Sequence, residues 1–359
     1  MTRVFRRSAA VGLAVVLAAV AFSVVATGAI ARSGQATVDV CVLLPDTKSS
    51  VRWEQFDKPS FAKAFKKAGV KASIVNALGD QQKQLAQAEQ CIGAGAKVGI
   101  ITDLDRGTSI AIQKKFQAGG GKTIDYDRLI VGGSGSVYVT FDGNLVGKRQ
   151  AEGVLLGMKA KGTYGPDGVV AQLWGGPTDA NAFWFKSGND DVLNPLFRAK
   201  KIKKGPAKFV PLWDAKNAQV IFEQMLVQTS NNIQGVVAAN DNIAGAVVAT
   251  LKAKGLKPIP LSGQDATVQG VQNIISGWQT MTVYKYVPDE ANAAAAAAIA
   301  LLKGKKPPSN TTRPSGNRKM PTYVIPVTSI TKANYTRLFR DGFLKRSDVC
   351  SGEYKQYCK

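Results

Sequence analysis

Apolar and polar positions along the chain follow two periods that take turns. Val38 to Leu44 is a short apolar run of the kind that forms a buried strand, while Phe56 to Ala68 repeats apolar residues at helical spacing and stops at Gly69. Lys71 to Val75 reads as the next strand and closes a βαβ unit. Leu85 to Ile92 continues as helix, Val98 to Ile101 as strand, Ile110 to Phe116 as helix and Thr123 to Tyr126 as strand. Right-handed crossovers between such strands imply a mostly parallel sheet covered on both faces. The same grammar resumes with helix at Leu145 to Met158, strand at Val169 to Leu173, helix at Ala180 to Leu196 and strand at Ala207 to Leu212. It runs on through Val220 to Gln228 (helix), Gly235 to Ala239 (strand), Ile243 to Lys252 (helix) and Ile259 to Leu261 (strand), and Gln279 to Lys285 reads as one more strand. Two such α/β units in succession predict two lobes alike in pattern, although no repeat is visible residue by residue. Ala291 to Leu302 is an alanine-rich helix of high propensity. Lys303 to Pro321, rich in Gly, Pro, Ser, Asn and charge, reads as a loop or linker, and the tail from Tyr323 adds a strand-like run and a helix around Lys332 to Arg340.

The first residues do not fit this alternation. Arg3, Arg6 and Arg7 precede an Ala/Val-rich run from Ala9, and Ala29-Ile30-Ala31 offers a small-x-small cleavage site, so residues 1–31 read as an export signal. The run is also long enough to stay as an uncleaved anchor. It holds no cysteine for lipid attachment. Export in turn favours disulfides for the four cysteines, with Cys41 paired to Cys91 and Cys350 to Cys358 among three possible connectivities; free buried thiols at Cys41 and Cys91 are the alternative.

Composition narrows the chemistry. With 359 residues the chain has material for two domains. It contains no histidine, which excludes Ser-His-Asp and Cys-His catalysis, zinc chemistry of the HExxH type and any histidine base. Binding becomes the default, with no metal and no cofactor expected. The formal charge of +22 raises the question of nucleic acid, but pairs such as Lys66-Lys67, Lys114-Lys115, Lys200-Lys201 and Lys305-Lys306 are scattered near predicted helix ends. No nucleic-acid partner is expected, and attraction to an acidic envelope is the residual reading of the charge.

Two glycine-rich stretches carry letters of nucleotide motifs in the wrong context. Gly93 to Gly99 and Gly119 to Thr123 each lead out of a helix into a strand, whereas a phosphate-binding loop must follow a strand and open a helix. The informative polar groups stand just after predicted strands, where open α/β sheets bind ligands. Asp127 and Arg128 follow the fourth strand and suit vicinal hydroxyls, with surface ion pairing as the alternative. Asn240 precedes a helix and reads equally as an N-cap or a ligand contact. Asp265 and Lys285 lie twenty residues apart and are expected to converge on a small polar molecule. Trp53, beside Arg52, and Trp213 fall on the same rim, as sugar-stacking faces or as ordinary core.

Taken in order, Arg52-Trp53, Tyr126-Asp127-Arg128, Phe141-Asp142, Gly175-Gly176-Pro177 with Asn181, Trp213, Ala239-Asn240-Asp241, Ser262-Gly-Gln-Asp265 and Met281 to Lys285 give a chain that resembles the periplasmic sugar-binding proteins of ABC transporters, of the ribose and xylose type. The likeness runs from about Val38 to Lys345. It implies an α/β fold of two Rossmann-like lobes, periplasmic binding protein type I, joined by a three-crossing hinge near Phe141-Asp142, Tyr284 to Tyr286 and Tyr323. The lobes would be 37–141 with 285–322 and 142–284 with 323–345, leaving 346–359 as a disulfide-closed tail. Trp53 and Trp213 would sandwich one monosaccharide, D-xylose by preference, while Arg52, Asp127, Arg128, Asn181, Asn240, Asp265 and Lys285 bind its hydroxyls. A monomeric receptor outside the membrane would hand the sugar to a permease. An exported sugar-acting enzyme using Asp and Lys, or a receptor for sensing another pentose or hexose, are the rival readings. Lys186 departs from the xylose-type pattern, which has Arg there, as do an apparent inserted Gly143, the cysteines and the tail beyond Lys345.

Overall fold

The structure is a computed structural model and describes residues 38–358; residues 1–31, read above as an export signal, lie outside the described residues. The described residues belong to one compact unit.

The first part of the chain runs β1 (Val40–Leu44), α1 (Lys58–Ala68), β2 (Ala72–Asn76), α2 (Gln81–Gly93), β3 (Val98–Ile101), α3 (Arg106–Ala118), β4 (Lys122–Tyr126) and β5 (Val137–Phe141). It continues with α4 (Gly143–Ala160), β6 (Val169–Trp174), α5 (Ala180–Arg198), β7 (Lys203–Phe209), α6 (Ala215–Gln228), β8 (Gly235–Ala238), α7 (Asp241–Ala253), α8 (Val268–Ile275) and β9 (Met281–Tyr284). The chain then returns through α9 (Val287–Leu302), β10 (Thr311–Ser315) and β11 (Arg318–Ile325), and finishes with β12 (Thr328–Thr331), α10 (Arg337–Arg340) and α11 (Arg346–Val349).

A seven-stranded sheet in the order β10-β11-β5-β4-β3-β1-β2 builds the first lobe, parallel except where β10 meets β11. Its inner strands β1, β3 and β5 are buried along their whole length because helices cover both faces. On one face α9 lies against the sheet through Ala291, Ala294, Ala295, Ala297 and Ala298, whose small side chains let the helix come close. On the other, Cys41 of β1 and Cys91 of α2 are joined by a disulfide within a cluster that includes Ile112 and Phe116.

The second lobe is built on β7-β6-β8, extended by parallel bridges from Val236 to Leu261 and from Gln264 to Val283, and then by the antiparallel pair β9-β12. Residues 259–261, expected as a full strand, give only one bridge, since Pro260 has no N–H to offer a ladder. The strand expected at Ala207–Leu212 lies earlier, and Leu212 turns into the left-handed region.

Three further differences concern the end of the chain and β5. The expected linker at 303–321 contains the β10-β11 hairpin, and the boundary expected after Thr322 lies inside β11, which pairs with β5 through Ile325. The chain therefore passes from the first sheet to the last strand pair between Ile325 and Thr328. The helix expected over Lys332–Arg340 is only Arg337–Arg340. No expectation covered β5, whose five residues are all buried and so show no alternation. The tail packs Tyr335, Leu338, Phe343 and Val349 beside Tyr284 and α8, and a Cys350–Cys358 disulfide closes it.

Candidate functional site

Every parallel strand ends at the cleft between the lobes, so residues just beyond the strands face one another across it. Arg52 and Trp53 follow β1, Asp127 and Arg128 follow β4, and Asn181 opens α5 after β6. Trp213 follows β7, Asn240 follows β8, and Lys285 follows β9. All nine predicted site residues, Asp265 included, line a single narrow cavity of about 30 Å³. Gln264, which stands beside Asp265 in the Ser262 to Asp265 motif, completes the lining with Ser49, Ser50, Asp179 and Phe185, and these last four were not anticipated. Asp179 carried a readable signal, being the N-cap of α5 with its carboxylate accepting from Asn181 N at 2.9 Å.

Charge is concentrated on the first-lobe side. Arg52 is 1 % exposed and donates through Nε and Nη2 to Asp57, at 2.9 and 2.7 Å, through Nη2 to Glu290 at 2.5 Å and through Nη1 to Asp127 at 2.7 Å. Four of its five N–H groups are thus engaged. Burial pushes Glu290 well above the usual carboxylate range against the pull of Arg52, and it raises Asp57 as well. Asp127 differs: burial would raise it, but Arg52, Lys285 and Arg128 outweigh that and hold it down at about 2. It is the anionic centre of the site.

Arg128 is also held from several sides. Nε forms an ion pair with Asp179, 3.0 Å away, Nη2 donates to Ser49 Oγ at 3.0 Å, and Nη1 donates to the Asp103 carbonyl at 3.3 Å. Both guanidinium groups lie over the Trp53 ring, 4.6 Å (Arg52) and 5.4 Å (Arg128) from its centroid, and the indole N–H donates to Ser49 Oγ at 3.0 Å. Asp127 and Arg128 are therefore neither surface ion pairs nor free.

At three lining positions, one in the first lobe and two in the second, the backbone is bent to aim side chains inward. Asp127, Trp213 and Asp265 have φ of 58°, 57° and 95°, a region that costs a non-glycine residue about 1–3 kcal/mol. Each is tied down by its own N–H, to Val139 O at 2.9 Å, Val210 O at 3.1 Å and Val283 O at 2.9 Å respectively. The Trp213 indole rests against Phe185, edge to face at 6.1 Å, and against Gly175 and Gly176, where side chains would collide with it. This contact gives the glycine pair its physical reason.

Asp265 and Lys285 do converge, at 3.2 Å, and the same ammonium is 3.6 Å from Asp127. The Asp265–Lys285 ion pair is close but not aligned as a hydrogen bond, leaving Asp265 Oδ1 without one. Trp213 Nε1 and Gln264 Oε1, also in the lining, are buried without hydrogen-bond partners. Asn240 fills both of its alternatives: its Oδ1 accepts from Ile243 N at 2.9 Å, capping α7, and its Nδ2 donates across the cleft to Ser49 O at 2.9 Å. Asn181 Nδ2 donates to the Asp127 carbonyl at 2.7 Å. Lys186 stays outside the lining, paired with Asp190 and lying over Trp174.

Two lobes of parallel α/β structure that share a polar, tryptophan-walled cavity at their strand ends define a periplasmic binding protein of type I. The comparison with known families agrees: residues 40–306 match the periplasmic binding protein domain, and the chain belongs to that family. It is 34% identical over 300 residues to the D-xylose-binding periplasmic protein of Escherichia coli K12, covering 83% of this chain and 88% of that one. It is 31% identical over 320 residues to the multiple sugar-binding periplasmic receptor ChvE of Rhizobium radiobacter, covering 84% and 89%. Among solved structures, an ABC transporter solute-binding protein from Clostridium phytofermentans with bound β-D-glucose superposes with a TM-score of 0.80 at 26% identity, over 86% of this chain and 99% of that one.

Proposed function

We propose that this protein is the extracytoplasmic sugar receptor of an ABC transporter, with D-xylose as its ligand, and that it delivers the sugar to a membrane permease. The observation that carries the reading is the single cavity ringed by nine charged, amide and indole side chains from both lobes. A neutral polyol is what such a ring suits. Asp127 and Asp265 offer acceptors, Arg128, Lys285 and the amides offer donors, and the indoles offer apolar faces to ring C–H groups. Arg52 has a single N–H left for a hydroxyl, so its main contribution is to fix Asp127. The rival readings, a sugar-acting enzyme or a sensing receptor, have no particular observation in their favour.

The lobes act as jaws, one built from 40–141 with 287–325 and the other from 142–284 with the chain after Thr328. Closure is favoured because ligand groups bridge both sides, adding to contacts the protein already makes across the cleft. Those contacts include Ser50 Oγ donating to Asp265 at 2.9 Å, Asn240 to Ser49 O at 2.9 Å and Asn242 to Lys48 O at 2.9 Å. A thermal-shift screen across pentoses and hexoses tests the proposal, because a ligand that binds the folded state raises its apparent stability. D-xylose is expected to give the largest rise. A panel in which no monosaccharide shifts the transition would refute the proposal.

A further inference from the structure

We infer that the edge of the first lobe farthest from the cavity is a docking surface for an anionic phospholipid membrane. In a parallel sheet crossed by helices, strand starts and helix ends share one edge, and here that edge gathers lysine. Lys71, Lys97 and Lys122 stand at the starts of β2, β3 and β4 and are tied together through the main chain. Asp39 N donates to Lys71 O at 2.8 Å, Lys97 N to Asp39 O at 2.9 Å and Lys122 N to Lys97 O at 2.9 Å. Strands lie about 4.8 Å apart, so these three side chains leave the sheet in one narrow band. Lys66-Lys67 close α1, Lys114-Lys115 lie at the end of α3, and Lys303, Lys305 and Lys306 follow α9, all exposed. Against them stand Asp39 and Glu89, and Glu89 is paired with Lys115 at 3.0 Å.

Complementing helix dipoles accounts for lysines in the last helical turns. It does not account for those at the strand starts, or for Lys305 and Lys306 beyond the helix. Nor is the edge merely a share of an evenly charged surface. Nine acidic side chains are buried against three basic ones, so the outer shell is more positive than the formal +22. Most of those buried acids gather around the cleft, leaving the opposite edge to the lysines.

The occupant follows from where the chain enters. Val38 N donates to Ala94 O, the residue that caps α2, at 3.0 Å, so the described chain begins on the lysine edge. Seven residues earlier in the sequence ends the 23-residue apolar run Ala9 to Ala31. If that run is kept as an anchor, only residues 32–37 separate it from Val38. If it is removed, no cysteine near the cut offers a lipid anchor, and charge is what keeps the receptor near its permease. A salt-reversible contact also suits a receptor that has to turn and present its cleft. This inference is independent of which sugar fills the cavity.

The test is sedimentation of the chain from Arg32 onward with vesicles of equal parts phosphatidylglycerol and phosphatidylcholine, at low and high salt, against vesicles of phosphatidylcholine alone. Binding to the anionic vesicles alone, lost at high salt, is expected. A Lys97→Glu, Lys122→Glu, Lys305→Glu, Lys306→Glu variant should lose more than about a thousandfold in partitioning, and the same sites as Gln on the order of a hundred- to a thousandfold. A control that reverses Lys201, Lys204, Lys208 and Lys254 in the second lobe removes the same charge and should stay within about threefold of the parent. Thermal melting of each variant reports its fold without reference to sugar. Equal loss in both reversed variants, or binding to soluble polyphosphate with none to vesicles, would overturn the inference.

Discussion

The Trp213 wall of the cavity rests on a contact that one methyl group can disturb. A Cβ added at Gly175 would lie 2.1 Å from both Cη2 and Cζ2 of Trp213 and 2.5 Å from Cζ3. The indole would have to retreat by more than an ångström to regain ordinary van der Waals distance. It cannot retreat sideways past Phe185, which meets it edge to face, and its backbone is fixed at φ 57°. The remaining direction is into the cavity, where the sugar ring is proposed to lie. Gly175 itself is not in the left-handed region, so Gly175→Ala adds no backbone strain and reports the contact alone. Overpacking of this kind costs about 1–3 kcal/mol. If the indole absorbs that cost in the position it holds when sugar is bound, D-xylose affinity falls about five- to a hundredfold. Calorimetric titration of parent and variant, with near-ultraviolet circular dichroism following the tryptophans, measures both effects. An affinity within about twofold of the parent, with an unchanged aromatic spectrum, would refute the assignment of Trp213 as a wall of the binding site.

Asn242→Ala removes a bond across the cleft to Lys48 O, together with a longer one, 3.2 Å, to the main-chain carbonyl of Trp213, and takes no side chain out of the cavity lining. A net loss of about 1 kcal/mol should weaken every sugar by the same five- to tenfold and should appear in the dissociation rate, as stopped-flow fluorescence would show. Trp213→Ala and Asp265→Ala should each abolish most of the calorimetric signal; unchanged affinity in both would dismiss the site. Burial raises Asp241 to about 7, outweighing its hydrogen bonds from Gln279 and Thr267. The folded state then holds a proton that the unfolded state has lost, so stability should fall as pH rises from about 4 to 7, by up to about 4 kcal/mol. Asp241→Asn should flatten that slope in urea titrations across the range. The Cys41–Cys91 pair spans 50 residues and the Cys350–Cys358 pair spans 8, so replacing each with alanines should cost about 4 and about 2.5 kcal/mol respectively in reversible denaturation.

Much of the site could be read in the sequence because its residues obey a local rule. Asp127, Asn240 and Lys285 each stand directly after an apolar run, and a parallel sheet brings such positions to one edge whatever else the chain does. What was not legible depends on long-range return. Glu290 reaches Arg52 from 238 residues away because α9 comes back to the first sheet, and nothing near either residue announces the pair. Ser49 and Ser50 have no motif; they matter because the closed lobes place them opposite Asn240 and Asp265. The β10-β11 hairpin did carry a signal, a Gly316-Asn317 turn with Gly316 at φ 58°, but its strands are rich in Arg, Lys and Pro and lack apolar alternation. It lies at the sheet edge, where such residues are tolerated.

The central claim is that one monosaccharide is gripped between the lobes by groups from both. Isothermal titration of the purified protein with D-xylose tests it most directly. The account predicts a single site with micromolar or tighter affinity; no heat of binding from D-xylose, in a protein whose melting shows it folded, would contradict it.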